Sequence, residues 1–299
     1  MTLNQMKYFC TAARAKSITK AAQELYVTQP TVSIAIRDLE VELGTVLFYR
    51  QGNQLVLTDE AREIYNKCTY ILAYCNEMVA ESNNQQRERP PVRIGIPPML
   101  STVFFPHLLD AFLEAHPGLS VRLEEYGSIR ACNLVQNDTL DLALVNMEHE
   151  EISKFNSKVL LQEHLVACVS PKHPLAGRES IRPEELGKTK LILFNSDSVQ
   201  NRLIRSRFEA EGIKPNIFMR CSQIPTVLKF LEKGDSACFF YSSMVPQFPQ
   251  VEAIPLAPTI PVHAGIVWKK GTYMRSEAKQ FLNFTMDYYA KHPILTEDE

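Results

Sequence analysis

A short set of polar side chains, spaced for one face of a helix, carries the clearest chemical signal in this sequence. Ser33 and Arg37 are four residues apart, and Thr31 lies just before them. Side chains three or four residues apart are neighbours on a helix surface. Short hydroxyls and one long cation are the types that hydrogen-bond base edges and phosphates in a major groove. This face therefore predicts contact with a nucleic-acid duplex.

The helix that would position these side chains has a clear start and a buried side. Thr28 is a suitable N-cap, and Gln29 and Pro30 fill the first turn, where the proline loses no helical hydrogen bond. Behind the polar face, apolar residues recur every three or four positions and predict one buried stripe: Val32, Ile36, Leu39 and Leu43. A shorter helix is predicted before it, capped by Ser17 and buried through Ile18, Ala21, Ala22 and Leu25.

A first helix and a hairpin complete this predicted domain. The first helix spans residues 3–14, with an inner face of Leu3, Met6, Phe9, Cys10 and Ala13. Apolar residues at 47–48 and 55–57 flank a polar turn with glycine at 51–53, which is typical of a β-hairpin. Arg50 lies at the shoulder of this hairpin, where it would reach a phosphate or the minor groove. An arginine that is merely solvated is the alternative.

The order of these residues resembles the DNA-binding domain of LysR-type transcriptional regulators. The matching positions are Leu3, Phe9, Ala12, Ser17, Ala21, Ala22, Leu25, Gln29, Pro30, Ser33, Leu39, Glu40, Leu43, Gly44, Leu47, Phe48, Arg50, Leu57 and Thr58. An ordinary three-helix core would explain the apolar positions but not the polar ones. The DNA-binding residues are predicted to be Ser17, Thr28, Gln29, Pro30, Thr31, Ser33, Ile34, Arg37 and Arg50.

The charge balance supports only a modest phosphate-binding surface. The whole chain has a formal net charge of -2, so it is not a general electrostatic binder of nucleic acid. Residues 1–57 contain six cationic and four acidic side chains, a net of +2. Pairing of two chains would double this surface and link two binding sites.

A long helix is predicted after the hairpin, from 59 to 87. Thr58 is its cap, and Asp59 and Glu60 suit its positive end. Ala61, Ile64, Cys68, Ile71, Cys75 and Met78 form a heptad seam, which predicts a homodimer. The resemblance implies the same pairing, because the corresponding linker helices pair between subunits, and it implies a homotetramer. Ala61 stands where the family usually has glycine. A polar stretch ending in two prolines follows, with the hinge at 88–91.

From residue 92 onward, short apolar strands alternate with helical stretches. Strands are predicted at 92–96, 119–123, 140–145, 165–169, 191–194, 217–221, 237–241 and 262–268, and helices at 102–115, 129–137, 199–211, 224–233 and 276–290. This α/β pattern resembles the LysR effector-binding domain, which is similar to a small periplasmic binding protein with two Rossmann-like lobes. The predicted division is an all-α winged helix-turn-helix domain at 1–58, the linker, and the effector domain at 92–299. Lobe 1 would comprise 92–163 and 266–299, and lobe 2 would comprise 164–265.

A small-molecule effector is predicted to bind between these lobes. Ligands of open α/β sheets bind where strands end and helices begin, and helix N-termini favour polar or anionic groups. The predicted effector-binding residues lie in such loops: Pro98, Met99, Leu100, Ser101, Thr102, Ser128, Phe194, Asn195, Ser196 and Ile224. Simple helix capping is the alternative role for each of the hydroxyl side chains. Asp197 would repel a carboxylate there, whereas Arg202 and Arg205 would attract one if they face inward.

Other functional classes have little support in the sequence. It contains no G-x-G-x-x-G, G-x-S-x-G or H-E-x-x-H motif and no phosphate-binding G-x-x-x-x-G-K-[ST] loop, and its seven histidines are dispersed. We therefore expect no catalytic residues, no metal and no cofactor. The seven scattered cysteines are interpreted as small buried hydrophobes. An enzyme and a metabolite-binding protein with a degenerate DNA-binding module remain the alternatives.

The expected partners follow from the resemblance. They are double-stranded DNA with a dyad-symmetric promoter site, the effector, other copies of the chain, and RNA polymerase. We expect a cytoplasmic protein without membrane contact, since neither a signal peptide nor a long apolar run is evident.

Overall fold

A computed structural model describes residues 1–52, 54–82 and 89–292, without the side chains of 77 and 80–82. The chain forms two compact units. Unit 1 contains Met1–Glu88 with Gly271–Arg275, and unit 2 contains Arg89–Lys270 with Ser276–Glu299. Several predictions fall on residues outside the described ranges: position 53 of the hairpin turn, the linker beyond 82, the first hinge residue and the tail from 293. No described helix is long and apolar enough to cross a bilayer.

Unit 1 consists of helices and one hairpin, as the sequence predicts. Its elements are α1 (Leu3–Ala15), α2 (Ile18–Glu24), α3 (Gln29–Leu43), β1 (Phe48–Gln51), β2 (Gln54–Leu57) and α4 (Asp59–Ser82). The predicted caps form: Ser17 Oγ accepts from Lys20 N–H, and Thr28 Oγ1 accepts from Thr31 N–H. Gly44 ends α3 at φ +66°, a left-handed conformation that glycine adopts without steric cost.

The core of unit 1 is built around Phe9 of α1. This ring is fully buried and makes edge contacts with Phe48 at 5.4 Å and Tyr65 at 6.1 Å between centroids. Leu3, which the sequence places on the same inner face, is 49% exposed. That prediction is wrong because Leu3 is in the first turn of α1, and the buried positions begin one turn later at Met6.

The predicted seam of α4 divides into two parts. Ala61 and Cys68 are buried in the core of unit 1, and Ile64 and Ile71 pack against it. Met78, in contrast, is 59% exposed. The first half of the stripe is therefore covered by its own chain, because α4 packs along α1. The heptad pattern predicted that the whole stripe would face a partner helix, but only its second half has an apolar side chain that points outward.

Unit 2 is organised on one mixed sheet of eight strands, with the order β4-β3-β5-β10-β6-β9-β7-β8. The strands are β3 (Val92–Ile96), β4 (Val121–Glu125), β5 (Leu142–Asn146), β6 (Phe155–Val169), β7 (Lys190–Leu193), β8 (Ile217–Arg220), β9 (Ser236–Tyr241) and β10 (Glu252–Lys269). The α/β class is confirmed. The two predicted lobes share one continuous sheet, because the long antiparallel strands β6 and β10 run through both.

The helices of unit 2 cover the sheet. They are α5 (Pro98–Val103), α6 (Phe105–Ala115), α7 (Ser128–Gln136), α8 (Pro183–Leu186), α9 (Val199–Ala210), α10 (Ile224–Leu231) and α11 (Ser276–Lys291), with 3-10 turns at Glu150–Lys154 and Ser242–Gln247. The helix predicted at 102–115 is in fact two helices, since Pro106 lacks the N–H that would continue the ladder from α5. The early part of β10 is missed because its prolines are unusual inside strands, and the register shifts between Pro255 and Ile260.

Candidate nucleic-acid interface and inter-lobe cleft

The polar side of α3 is accessible while its apolar side holds unit 1 together. Val32, Ile36 and Leu39 are buried, as predicted. The predicted DNA-binding residues on the opposite side are exposed, apart from the half-buried Ser33: Thr28, Gln29, Pro30, Thr31, Ile34 and Arg37. This arrangement leaves one complete helix face available to a partner.

The two arginines of the predicted interface are both exposed. Within the described residues, neither Arg37 nor Arg50 has an ion-pair partner, and both are exposed. Arg14, by comparison, pairs with Glu24. A guanidinium that makes no intramolecular ion pair keeps its hydrogen-bonding capacity for a phosphate or a guanine edge.

The caps of the interface have hydroxyls already engaged with the backbone. Ser17 and Thr28 accept N–H groups at 3.3 and 3.4 Å, and the Thr28 and Thr31 hydroxyls lie 2.8 Å apart. Sequence reasoning missed Tyr26, which is 96% exposed in the turn between α2 and α3 at φ +56°. An exposed phenol next to the start of α3 is suited to a phosphate oxygen, and its place between two predicted helices was the signal that could have identified it.

A carboxylate of the predicted lobe 2 is bonded to the start of a helix in the predicted lobe 1. Asp197 follows β7, and its Oδ2 accepts the N–H of Gly127 at 3.0 Å. Its carbonyl accepts the N–H of Ile129 at 3.2 Å. These are free N–H groups at the start of α7, which attract negative charge. Asp197 therefore occupies the helix terminus to which sequence reasoning assigned a polar or anionic part of the effector.

Gly127 is required for this close approach. A Cβ atom built there would lie 2.4 Å from the carbonyl oxygen of Asp197, a contact that no side chain movement relieves. The loop that carries Asp197 is also fixed from behind, because the buried Asn201 amide donates to the carbonyls of Phe194 and Asn195. The close contact between the turn at Gly127 and the loop that carries Asp197 is thus fixed from both sides.

The predicted effector-binding residues divide by burial. Met99, Leu100, Ser128, Phe194 and Ile224 are buried, whereas Thr102, Asn195 and Ser196 are exposed and Pro98 and Ser101 are half-buried. The hydroxyls of Ser101 and Thr102 donate to the carbonyl of Pro98, and Ser128 Oγ accepts from Asn146 N–H at 3.0 Å. Their first hydrogen bonds are therefore internal. The two arginines whose direction the sequence left open lie in exposed pairs, Arg202 near Glu150 and Arg205 near Glu209.

Sequence reasoning missed a polar cluster on the sheet near the predicted cleft. Tyr241 is fully buried and donates to Asn146 Oδ1, which joins β9 to β5. Burial raises the pKa of the Tyr241 hydroxyl, and the nearby carboxylates of Glu148 and Glu163 raise it further. Glu163 precedes the strand predicted at 165–169, and the structure includes it because β6 begins at Phe155.

Two family models match this chain. The model described as "Bacterial regulatory helix-turn-helix protein, lysR family" matches residues 3–62, and "LysR substrate binding domain" matches residues 85–290. The chain is also 34% identical to the uncharacterized HTH-type transcriptional regulator YwbI of Bacillus subtilis (strain 168), over 96% of this chain and 97% of that protein.

The chain belongs to the LysR family of transcriptional regulators. Solved LysR-type structures have the same fold. A full-length OxyR variant from Pseudomonas aeruginosa gives a TM-score of 0.58 at 21% identity, covering 96% of this chain and 99% of that one. HinK from the same species gives 0.57 at 23% identity, covering 97% and 99%. As a LysR-type regulator, the protein combines a helix-turn-helix DNA-binding domain with a substrate-binding domain.

The Asp197 contact leads to a prediction about the substrate-binding domain of this LysR-type regulator. We expect Asp197→Ala to lower the free energy of unfolding by about 1–2 kcal/mol, the usual effect of losing an N-terminal helix cap. Amide hydrogen exchange should accelerate at Gly127, which loses the carboxylate acceptor, and at Ile129, whose acceptor is the Asp197 carbonyl that the carboxylate helps to position. Thermal unfolding and native-state hydrogen exchange measure these effects. Asp110→Ala, at an exposed position of α6, is the control and should change neither.

Proposed function

We propose that α3 of this regulator lies in the major groove of a dyad-symmetric promoter site. An effector bound between the lobes would set the regulatory activity of the DNA-bound protein. The observation that carries the DNA-binding part is the exposed polar face of α3 with Arg37 outside any ion pair of the described chain. Arg50 at the hairpin would contact the adjacent backbone. About half or more of the hydrogen bonds in such interfaces go to the phosphate backbone, and side chains such as Ser33 then read bases.

The proposed division of labour follows the chain. Residues 1–58 read DNA, 59–87 join two chains, 88–91 form the hinge, and 92–299 bind the effector in two lobes. Effector binding would shift the population between two arrangements of the lobes and so change the spacing of the paired DNA-binding modules. The hydrogen bond from Gly127 N–H to the Asp197 carboxylate supports this proposal, because it is a specific contact that would form when the lobes close. Since DNA is the proposed partner, the protein would act in the cytoplasm, and RNA polymerase would be a further partner.

Fluorescence anisotropy tests the DNA-binding proposal. The full-length protein is titrated onto a labelled dyad-symmetric fragment from the promoter region beside its own gene, and onto a scrambled fragment of equal length. Specific binding should exceed scrambled binding by about 10³-fold or more at physiological salt. Equal affinities for both fragments would refute sequence-specific regulation. A protein of the metabolite-binding or enzyme class would bind neither fragment.

Dimerisation is proposed to use the second half of α4. Tyr74 and Met78 are exposed there, 55% and 59%, whereas the first half of the stripe is packed in its own chain. Two such dimers would assemble into a homotetramer. The proposed interface therefore lies farther along α4 than the heptad pattern alone indicated.

Met78→Lys tests this interface. We expect the oligomer to dissociate by one step, because the partner helix would bury a charge without a counter-ion. Sedimentation velocity gives the mass, and circular dichroism should show an unchanged fold, since the Met78 side chain is largely exposed within its own chain. Asn76→Lys adds the same charge at another exposed position of the same turn and serves as the control. An unchanged mass for Met78→Lys would place the interface elsewhere.

Ser33→Ala tests base readout. We expect a change in preference at one base-pair position worth about 1–3 kcal/mol, with nearly unchanged affinity for unrelated DNA. A competition assay with all single-base variants of the site measures this. The exposed Thr31 lies on the same turn, and Thr31→Ala provides the comparison. A uniform loss over all fragments after Ser33→Ala would assign Ser33 to phosphate contact instead.

A further inference from the structure

Two carboxylates of unit 2 lie near the predicted cleft: Glu163, which is buried on β6, and Glu148, which is half-buried just beyond the end of β5. Glu163 of β6 is directly opposite Val262 of β10, and Tyr241 of β9 is opposite Leu165 of β6. Directly paired residues and residues two apart share a face. Glu163 and Tyr241 therefore point to the same side, and Tyr241 reaches Asn146 there. Glu148 follows Asn146 by two residues, just beyond β5.

Each of these carboxylates has one buried oxygen without a hydrogen-bond partner. Glu163 is 2% exposed, and its Oε2 accepts from the Ser242 hydroxyl while its Oε1 has no partner. Glu148 Oε1 accepts from the backbone N–H of His263 at 2.7 Å and contacts the ring Nδ1 at 2.8 Å. Its Oε2 is buried without a partner. Leaving a buried acceptor unpaired is unfavourable, so both atoms indicate a missing donor.

The described residues place no donor within hydrogen-bond distance of either oxygen, and the buried Ser243 hydroxyl beside Ser242 also has no partner there. Neither Glu148 nor Glu163 has an ion pair with lysine or arginine in the described ranges; the histidine ring of His263 is the one basic group near Glu148. No described cluster of three or more His, Cys, Asp and Glu side chains could hold a metal ion. The helix terminus that would attract an anion already holds Asp197. All of these features favour a positively charged organic ligand over an anion or a metal.

We propose that the effector of this regulator is a primary amine, whose ammonium group donates hydrogen bonds to Glu163 Oε1 and Glu148 Oε2. This inference rests on the proposed effector cleft and specifies the chemical class that it takes. A primary ammonium carries three donors on one compact charge, which suits two carboxylates that approach from different strands. Hydrogen bonds between ionised partners are about twice as strong as neutral ones and give the site its selectivity for amines.

A ligand panel on the full-length protein tests the class of effector. Primary amines, comprising amino acids, diamines, polyamines and aminosugars, are compared at millimolar concentration with matched carboxylic acids lacking nitrogen. We expect at least one amine to raise the thermal unfolding temperature and to bind in calorimetry, since a ligand bound to the native state stabilises it. The acids should not. Stabilisation by acids alone, or by no amine in the panel, overturns the proposal.

Glu163→Gln provides the second test. It keeps the shape of the side chain and removes its charge, so we expect about tenfold or greater loss of amine affinity. The unliganded variant should unfold at the same temperature as the parent or higher, because a buried charge is lost. Glu211→Gln, at an exposed position after α9, is the matched control and should keep full affinity. Unchanged amine binding by Glu163→Gln refutes the assignment, and Glu148→Gln repeats the test on the second carboxylate.

The outcomes separate this inference from the proposed function. If an acid binds and alters DNA affinity in the anisotropy assay, effector-gated regulation stands while the amine assignment fails. If the protein does not discriminate between the promoter and scrambled fragments, the DNA-binding proposal fails whatever ligand is bound.

Discussion

Phe9→Ala is expected to remove most of the stability of unit 1 and with it DNA binding. The ring of Phe9 is fully buried and joins three elements, because it contacts Phe48 of β1 and Tyr65 of α4 from its position on α1. Replacing a buried phenylalanine by alanine usually costs about 3–5 kcal/mol, and domains of this kind have about 5–15 kcal/mol in total. The variant should therefore be partly unfolded in unit 1 at physiological temperature.

Differential scanning calorimetry with DNA-binding assays measures this effect. The transition of unit 1 should move to lower temperature, while ligand binding by unit 2 should persist because its core contains none of these residues. Leu3→Ala is a matched control on the same helix, since the Leu3 side chain is 49% exposed. It should lower the free energy of unfolding much less than Phe9→Ala does. Equal destabilisation by both substitutions would contradict the assignment of Phe9 as the centre of the core.

Arg37→Ala is expected to give the largest loss of specific DNA affinity among single surface substitutions. One arginine that contacts a guanine edge is worth about 1–3 kcal/mol, and a dimer contains two copies. The combined loss would be about 2–6 kcal/mol per site. If Arg37 instead contacts a phosphate, the loss should be uniform across sequences, and the dependence of affinity on salt should become shallower.

Anisotropy titrations at several salt concentrations distinguish these modes. Arg14→Ala is the control, because it removes the same charge from the same unit at a side chain that is paired with Glu24. We expect it to have a much smaller effect on specific binding. If both variants lost affinity equally, the contribution would come from the general electrostatic field and not from the exposed face of α3.

The local parts of the fold were predictable because their signals are local. The Thr28 cap is three residues from the N–H that it accepts, and the buried stripe of α3 repeats within a single helix. Such patterns are complete within a few turns of sequence. The family resemblance then gave the architecture, and the match of two family models to residues 3–62 and 85–290 confirms it.

The remaining features depend on contacts between distant residues. Gly127 and Asp197 are 70 residues apart, and no local pattern links them. The periodicity of α4 correctly identified an apolar stripe, but periodicity does not tell whether the stripe packs on its own chain or on a partner. Glu163 was not identified because its burial results from the pairing of β6 with two other strands. The effector-binding residues accordingly stay a prediction.

The packing of the first half of α4 against α1 has a mechanical consequence. Since Ala61 and Cys68 are part of the same core as the buried stripe of α3, we expect any rotation of α4 about its axis to carry α3 with it. Each residue of an α-helix adds a rotation of about 100° about the helix axis. The number of α4 residues beyond this core therefore sets the direction of Arg37 relative to the far end of α4. Rotating the far end of α4 would thus change the direction of the Arg37 side chain without any unfolding of the DNA-binding domain.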